Sequence, residues 1–278
     1  MEFYTGWQKL LKFEDSQYYL VGFSRASFKT GLIIKPLNIC LDAGVCNQFE
    51  PNMVLITHGH TDHVGELYNI LIGNTCKKKV PVISTPNLIR HISTYINSMF
   101  SLNRGTYSKY NKWDPCTLET NKRFEIQGKT IEIESYIMDH TTESIGFGIS
   151  EIRDKLKPEY ENLTTSEIIE KKKTIKITQE KEFPICLFCG DTGNSILPTL
   201  PFNKYPMVII ECTFINPDDI KDAYEKKHLH ITDLEPYFIA NKMVTFVLIH
   251  FSTRYDLDKL KEYQDKYENM YQNIKFFI

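Results

Sequence analysis

The sequence predicts an α/β fold, and three observations carry that prediction. Short runs rich in Val, Ile and aromatic residues alternate with helical periodicities along the chain. Several of those runs stop on a His, Asp or Glu. The composition of the 278 residues, 42% hydrophobic and 24% charged, is that of a globular chain able to bury a sizeable core. At roughly 100–200 residues per domain the length fits one large domain or two small ones. No Gly/Ser/Pro tract divides the chain and no solenoid-type repeat is visible, so one α/β domain over 1–278 is the economical expectation.

The elements follow in order. Residues 18–24, 32–34, 37–41 and 53–57 read as strands bounded by Gly, Pro or Asn. A helix is expected from about Asp62, where Val64, Leu67 and Leu71 recur at helical spacing. A second follows Pro86, with Leu88, Ile92, Ile96 and Phe100 as its apolar stripe. Strands resume at 131–138 and 145–149. The segment 153–182 is the most polar, includes Lys171, Lys172 and Lys173, and reads as a solvated excursion, partly helical around 166–173. Beyond it, 185–188, 207–210 and 244–249 read as strands, and 217–227, 232–242 and about 257–271 as helices.

Composition excludes several classes. With 33 Lys+Arg against 35 Asp+Glu the net charge is −2, which argues against a globally basic nucleic-acid coat and an acidic disordered tail. Seven cysteines are an odd number in a chain too large to need disulfide staples, so they read as reduced and intracellular. No apolar run reaches the roughly 18–20 residues of a membrane span. Residues 1–15 mix Glu2, Lys9, Lys12 and Glu14 into their apolar positions, unlike a signal or transit peptide. A cytoplasmic or nuclear protein is the expectation that remains.

The informative feature is what ends each apolar run. Residues 53–57 are followed by His58, and 136–138 by Asp139 and His140. Residues 185–188 lead through Cys189 and Gly190 to Asp191; 207–210 stop at Glu211, and 244–249 at His250. In α/β sheets functional groups gather beyond strand ends, so several such residues imply one metal-binding edge. The densest piece is His58-Gly59-His60-Thr61-Asp62-His63. In an extended loop His58 and His60 point to one side, because side chains alternate with period 2. Asp62 and His63 then sit where the next helix begins. Imidazole and carboxylate suit zinc and similar divalent ions.

His-x-His-x-Asp-His after an apolar strand resembles the signature of the metallo-β-lactamase superfamily. Further along, His140-Thr141-Thr142-Glu143-Ser144-Ile145-Gly146-Phe147, Gly190-Asp191-Thr192, Glu211-Cys212-Thr213-Phe214 and His250-Phe251-Ser252-Thr253-Arg254-Tyr255 resemble, in order and approximate spacing, the ribonuclease Z branch in its short, plant-type form. The likeness runs from about Tyr19 to Tyr255. The first motif marks only the superfamily; His-Phe-Ser-x-Arg-Tyr with a His at 228 is more specific to the branch. The resemblance implies a four-layer αββα sandwich and an endoribonuclease that removes 3′ trailers from precursor tRNA. The products would be a tRNA 3′-hydroxyl and a trailer 5′-phosphate. It also implies a homodimer and two divalent metal ions, zinc foremost.

Residue by residue, the resemblance implies His58, His60 and His140 on one metal, Asp62, His63 and His250 on the other, and Asp191 bridging them. Asp42 is a candidate partner for a ligand imidazole, whose second nitrogen needs holding; a turn carboxylate before Gly44 is the alternative. Asp62 would take the proton of the attacking water, and Glu211 would orient His228 as the acid for the leaving oxygen. His230 competes with His228, which an ungapped count back from His250 favours. Ser252 and Arg254 are candidates for RNA phosphate, Arg254 through bidentate donors, with a structural ion pair as the alternative.

The chain also departs from the pattern. The family's His-Glu-Ala-Thr element reads Ile210-Glu211-Cys212-Thr213, and 153–182 lacks the Gly-Pro element of the long tRNA-gripping arm. The lysines of 153–182, with Lys77, Lys78 and Lys79, are candidate phosphate contacts. Cys186 and Cys189 have redox-motif spacing but no second pair, and His91 lies apart from every motif. Because this fold also serves thioesters, lactones and small phosphodiesters, a small-molecule metallohydrolase such as a cyclic-nucleotide phosphodiesterase is the competing function. The His228 and His-Phe-Ser-x-Arg-Tyr elements argue against it.

Overall fold

The computed structural model describes residues 9–13, 16–46, 50–73 and 78–278. Glu2, Glu14 and Lys77 lie outside the described residues. Among the described residues fourteen strands form two sheets of seven. The first comprises β1 (Lys9–Lys12), β2 (Tyr19–Arg25), β3 (Lys29–Lys35), β4 (Ile39–Leu41), β5 (Met53–Leu55), β6 (Val80–Ser84) and β7 (Trp113–Thr117) in sequence order. The second comprises β8 (Asn121–Ile126), β9 (Lys129–Met138), β10 (Ser144–Leu156), β11 (Thr178–Phe188), β12 (Met207–Glu211), β13 (Thr245–Ile249) and β14 (Ile274–Phe276).

Both sheets are mixed in the same way. β1 to β4 are antiparallel and β4 to β7 parallel; β8 to β11 are antiparallel and β11 to β14 parallel. The pleat sorts the side chains between layers. Leu32, Ile34, Met53 and Leu55 meet Phe147, Phe188, Ile209 and Val247 in the core between the sheets. Their neighbours Ile33 and Val54 face outward instead, onto α2 (Leu67–Ile72) and α3 (Pro86–Arg104) through Leu67, Leu71, Ile92 and Ile96. On the other side Val208, Ile210 and Leu248 pack on α6 (Ile231–Ala240) and α7 (Leu257–Met270) through Leu234, Phe238 and Leu260. The layers therefore run helix, sheet, sheet, helix. β12, covered on both faces, is apolar throughout up to Glu211, as a central parallel strand must be.

Several expectations are refined. The helix expected from Asp62 is two, α1 (Thr61–Val64) and α2, broken at Gly65 and Glu66. The stripe of α3 buries Ile89, Ile92 and Ile96, with Leu88 and Phe100 only partly covered. Its ends are as chemistry dictates: Thr85 accepts from the Leu88 N–H, Pro86 opens the first turn, and Gly105 closes it at φ 69°. Only the two ends of the segment 153–182 stay in the sheet; residues 157–177 form the exposed excursion, with its helix near the expected 166–173. β10 and β11 stay paired from Phe147/Phe188 out to Leu156/Thr178, past a register shift at Ile149/Ser150. At the far end of this hairpin lies α4 (Thr165–Lys172), closed by a capping box between Thr164 and Glu167. β7 went unseen because Pro115 breaks the strand pattern; β7 is an edge strand, where Pro is tolerated. Among the described residues no helix is long and apolar enough to cross a membrane.

β4, β5, β11, β12 and β13 all end at one edge. β9 ends there too, because β9 and β11 are each antiparallel to β10. That edge is the site.

Candidate metal centre

Each turn at this edge aims one group inward. His60 is the extended N-cap of α1 (φ −65°, ψ 146°), and Asp62 and His63 lie in its first turn. This helix sits hard against the strand-end turn of Asp42 and Ala43. The Ala43 N–H donates to the His63 carbonyl at 2.6 Å, and a Cβ on Gly44 would lie 1.7 Å from the Asp62 carbonyl oxygen. Only glycine fits there. Gly190, at φ 63°, turns the chain past Thr57 toward Asp191. Asp42 (φ 59°) and His250 (φ 62°) also hold left-handed backbone, a cost of order 1–3 kcal/mol each that clusters at functional sites.

The side chains meet in three overlapping groups, His58 with His60, His140 and Asp191, Asp62 with His63 and His250, and Asp191 with His228 and His250; within each, the potential ligand atoms lie within 4.8 Å of one another. Asp191 lies between the first two. Its Oδ2 is 3.7 Å from His58 Nε2, 4.0 Å from His140 Nε2, 3.3 Å from His63 Nε2 and 3.4 Å from His250 Nε2.

Surrounding acceptors fix which nitrogen of each imidazole carries its proton. Asp42 Oδ2 takes His63 Nδ1–H at 2.7 Å. The Thr57 hydroxyl donates to Asp42 and so accepts His58 Nδ1–H at 2.9 Å. The Thr213 hydroxyl donates to Glu211 Oε2 and accepts His250 Nδ1–H at 3.1 Å. The Lys227 carbonyl accepts His140 Nδ1–H at 3.1 Å. In the neutral rings so oriented the opposite nitrogens would be lone pairs facing other acceptors: His63 Nε2 lies 3.2 Å from His250 Nε2, and His140 Nε2 3.3 Å from His60 Nδ1. His58 Nε2 and Asp191 Oδ1 are buried with no hydrogen-bond partner at all. Acceptors converging without donors need a cation, and the N/O donor set fits zinc-like ions.

The charges agree. Burial holds His58 well below the usual imidazole range and lowers His60 and His140, keeping all three neutral as ligands must be. His63 goes the other way: against the effect of burial, Asp191 and Asp42 hold it well above that range. Without a metal, the negative field of the cradle is met by a proton there.

Beside the cradle Glu211, fully buried, accepts from the Thr192, Thr213 and Leu229 N–H groups and pairs with His228 Nδ1 at 2.7 Å. Burial alone would depress the His228 imidazole, but Glu211 outweighs it and raises it to about 9. The His228 ring lies 5.0 Å from His140 and stacks on His250 at 5.5 Å. His230 is elsewhere: it caps α6, with Nδ1 at Thr232 and Nε2 at the Asn216 carbonyl. Arg254 sits on Asp219 and Asp222 and over the Phe214 ring, the ion pair named as its alternative. Ser252 is buried, and its N–H donates to the Thr213 carbonyl. Cys186 packs between the sheets and Cys189 under the outer helices, so they face opposite sides of β11. His91 is exposed on α3. The sequence did not single out Thr57, Thr213 or the Lys227 carbonyl; standing beside a ligand or Glu211 in sequence was the only available sign for the two threonines.

No family model matches the chain. Its sequence is 26% identical over 253 residues to tRNase Z TRZ1 of Arabidopsis thaliana, spanning 88% of this chain and 89% of that protein. It is 23% identical over 250 residues to ribonuclease Z of Staphylococcus carnosus, spanning 81% and 78%. Among solved structures, human tRNase Z, short form, superposes with a TM-score of 0.56 at 13% identity, covering 91% of this chain and 93% of that one. The metallo-β-lactamase fold protein YhfI from Bacillus subtilis gives 0.54 at 12% identity, covering 91% and 92%.

Proposed function

We propose that this chain, which has the metallo-β-lactamase fold and a sequence similar to tRNase Z over most of its length, is a metal-dependent endoribonuclease acting on precursor tRNA. It would remove the 3′ trailer, leaving a 3′-hydroxyl on the tRNA and a 5′-phosphate on the trailer. The observation that carries the proposal is the Glu211–His228 pair standing beside the His/Asp cradle. A hydrolase of this fold needs such a proton donor when its leaving group is an alkoxide.

Two divalent ions, zinc foremost, held by His58, His60, His140 and Asp191 and by Asp62, His63, His250 and Asp191, would lower the pKa of water and stabilise charge on a phosphate oxygen. The chain's own groups do the rest. Asp62 is held below the usual carboxylate range despite burial, in the metal-free protein by the His250 and His63 imidazoles beside it, and would take the attacking water's proton. His228, charged at neutral pH, gives a proton to the departing 3′ oxygen, and Glu211 keeps its ring in place. Ser252 and Arg254 are assigned to the RNA phosphates; Arg254 then exchanges the Asp219 and Asp222 carboxylates for phosphate. The protein acts as a homodimer, which sedimentation at working concentration would refute by showing a monomer.

The test incubates metal-loaded protein with a precursor tRNA carrying a 3′ trailer and maps both new ends. A cut after the discriminator nucleotide with the stated end groups is expected. Turnover of a cyclic nucleotide or thioester with no cut there would overturn the proposal.

A further inference from the structure

Asp139 lies in none of the ligand groups, yet it ties together three loops that each carry a site group. Its N–H donates to Thr192 Oγ1 at 3.1 Å, and its carbonyl accepts the Gly193 N–H at 2.5 Å. Its Oδ2 accepts from Ser195 Oγ at 2.6 Å, and its Oδ1 meets Lys227 Nζ at 2.7 Å. Thr192 follows Asp191, Lys227 precedes His228, and Asp139 itself precedes His140. Lys227 closes the circuit from the far side. It stands at the C-terminus of α5 (Ile220–Lys226) with left-handed backbone, φ 52° and ψ 53°. That conformation points its carbonyl at His140 Nδ1, 3.1 Å away. A non-glycine residue holds this conformation at a steric cost, so something must secure it.

An ion pair this exposed, 47% at Lys227 and 30% at Asp139, adds little to stability. Its geometric effect is larger, because the Lys227 carbonyl sets the tautomer and orientation of His140 while the next residue is His228.

We propose that the Asp139–Lys227 pair is a latch at the rim that positions His140 and His228 relative to one another. The two are positioning residues, and the inference rests on reading His140 as a ligand and His228 as the proton donor. The pair acts through the main chain: releasing the Lys227 ammonium frees the left-handed turn, and the carbonyl that holds His140 swings with the segment carrying His228.

The test is a cobalt(II) titration, without RNA, of Asp139→Asn, Lys227→Gln, the double variant and Lys227→Arg, read by visible absorption. Each single loss should weaken cobalt binding about tenfold or more, as for other groups that orient a metal-ligating His. The double variant should be no weaker than the worse single, because the ring is broken once. Lys227→Arg should restore binding, and Lys226→Gln, which removes the exposed pair with Asp222 and the ammonium over the Phe214 ring, should leave it unchanged. On precursor tRNA the same singles should lower kcat with KM within about twofold. Unchanged cobalt affinity in both singles, or a double-variant loss equal to their product, overturns the latch. Wild type that fails to cut precursor tRNA while the singles still lose cobalt overturns the endoribonuclease proposal and leaves the latch standing.

Discussion

The two halves of the metal edge are built on one device with one difference. In the first sheet a buried carboxylate, Asp42, holds His63 directly and reaches His58 through the Thr57 hydroxyl. In the second, the buried Glu211 holds His228 directly and reaches His250 through the Thr213 hydroxyl. In the first corner both imidazoles face the cradle. In the second His250 does, while His228, its side chain 16% exposed, also comes within 4.8 Å of Asp191 and His250. Under the proposed function the same hydrogen-bonding grammar would make two ligands on one side, and a ligand plus a charged acid on the other. In the proposed roles the Nδ1 partner cannot be what separates ligand from acid, since both directly held imidazoles carry a carboxylate at Nδ1.

This contrast can be broken by substitution. The largest effect is expected for His63→Ala, which should lose bound metal and all cleavage, read as the metal-to-protein ratio after dialysis. His228→Ala should keep its metal and lose rate by about 10²–10⁴-fold, the usual worth of a general acid; metal loss in that variant would make the two corners equivalent. Asp42→Asn should weaken metal affinity by about 10–100-fold with the ligands intact, measured by competition with a chelator. The smallest effect belongs to His230→Ala, which removes a helix cap and should cost about 1 kcal/mol of stability with cleavage retained. A dead but metal-loaded His230→Ala would move the acid to that position.

A pH series sharpens the same contrast in the metal-free protein. The folded pKa of His228, about 9, lies above its ordinary value of 6.5. Its contribution to stability is therefore fully present below about pH 6.5 and lost as pH rises through 9. The Tm difference between wild type and His228→Ala should shrink across that window, and a difference that grows instead would mean the imidazole is neutral in the fold.

How much of this was legible depends on distance along the chain. His58-Gly59-His60-Thr61-Asp62-His63 is local, so the period of a strand and the start of a helix suffice to group its ligands. The Asp42–His63 bond also joins neighbours in space, but nothing in spacing separates it from a turn before Gly44; the packing of α1 against that turn decides it. His228 and His230 were left competing because both precede a helix. Packing separates them, since β12 ends at Glu211 under His228 while His230 is consumed by the α6 cap. The 150–184 hairpin was hidden because its outer strands are solvated on both faces and lack the alternation that marks a half-buried strand.

One last consequence follows from the two atoms that lack partners, His58 Nε2 and Asp191 Oδ1. A cation binding there binds the folded chain and not the unfolded one, so it shifts the folding equilibrium by RT ln(1 + [M]/Kd), about 2.7 kcal/mol at a hundredfold excess over Kd. Metal supply would then govern survival as well as turnover, since chains in metal-poor surroundings would open more often and meet proteases sooner.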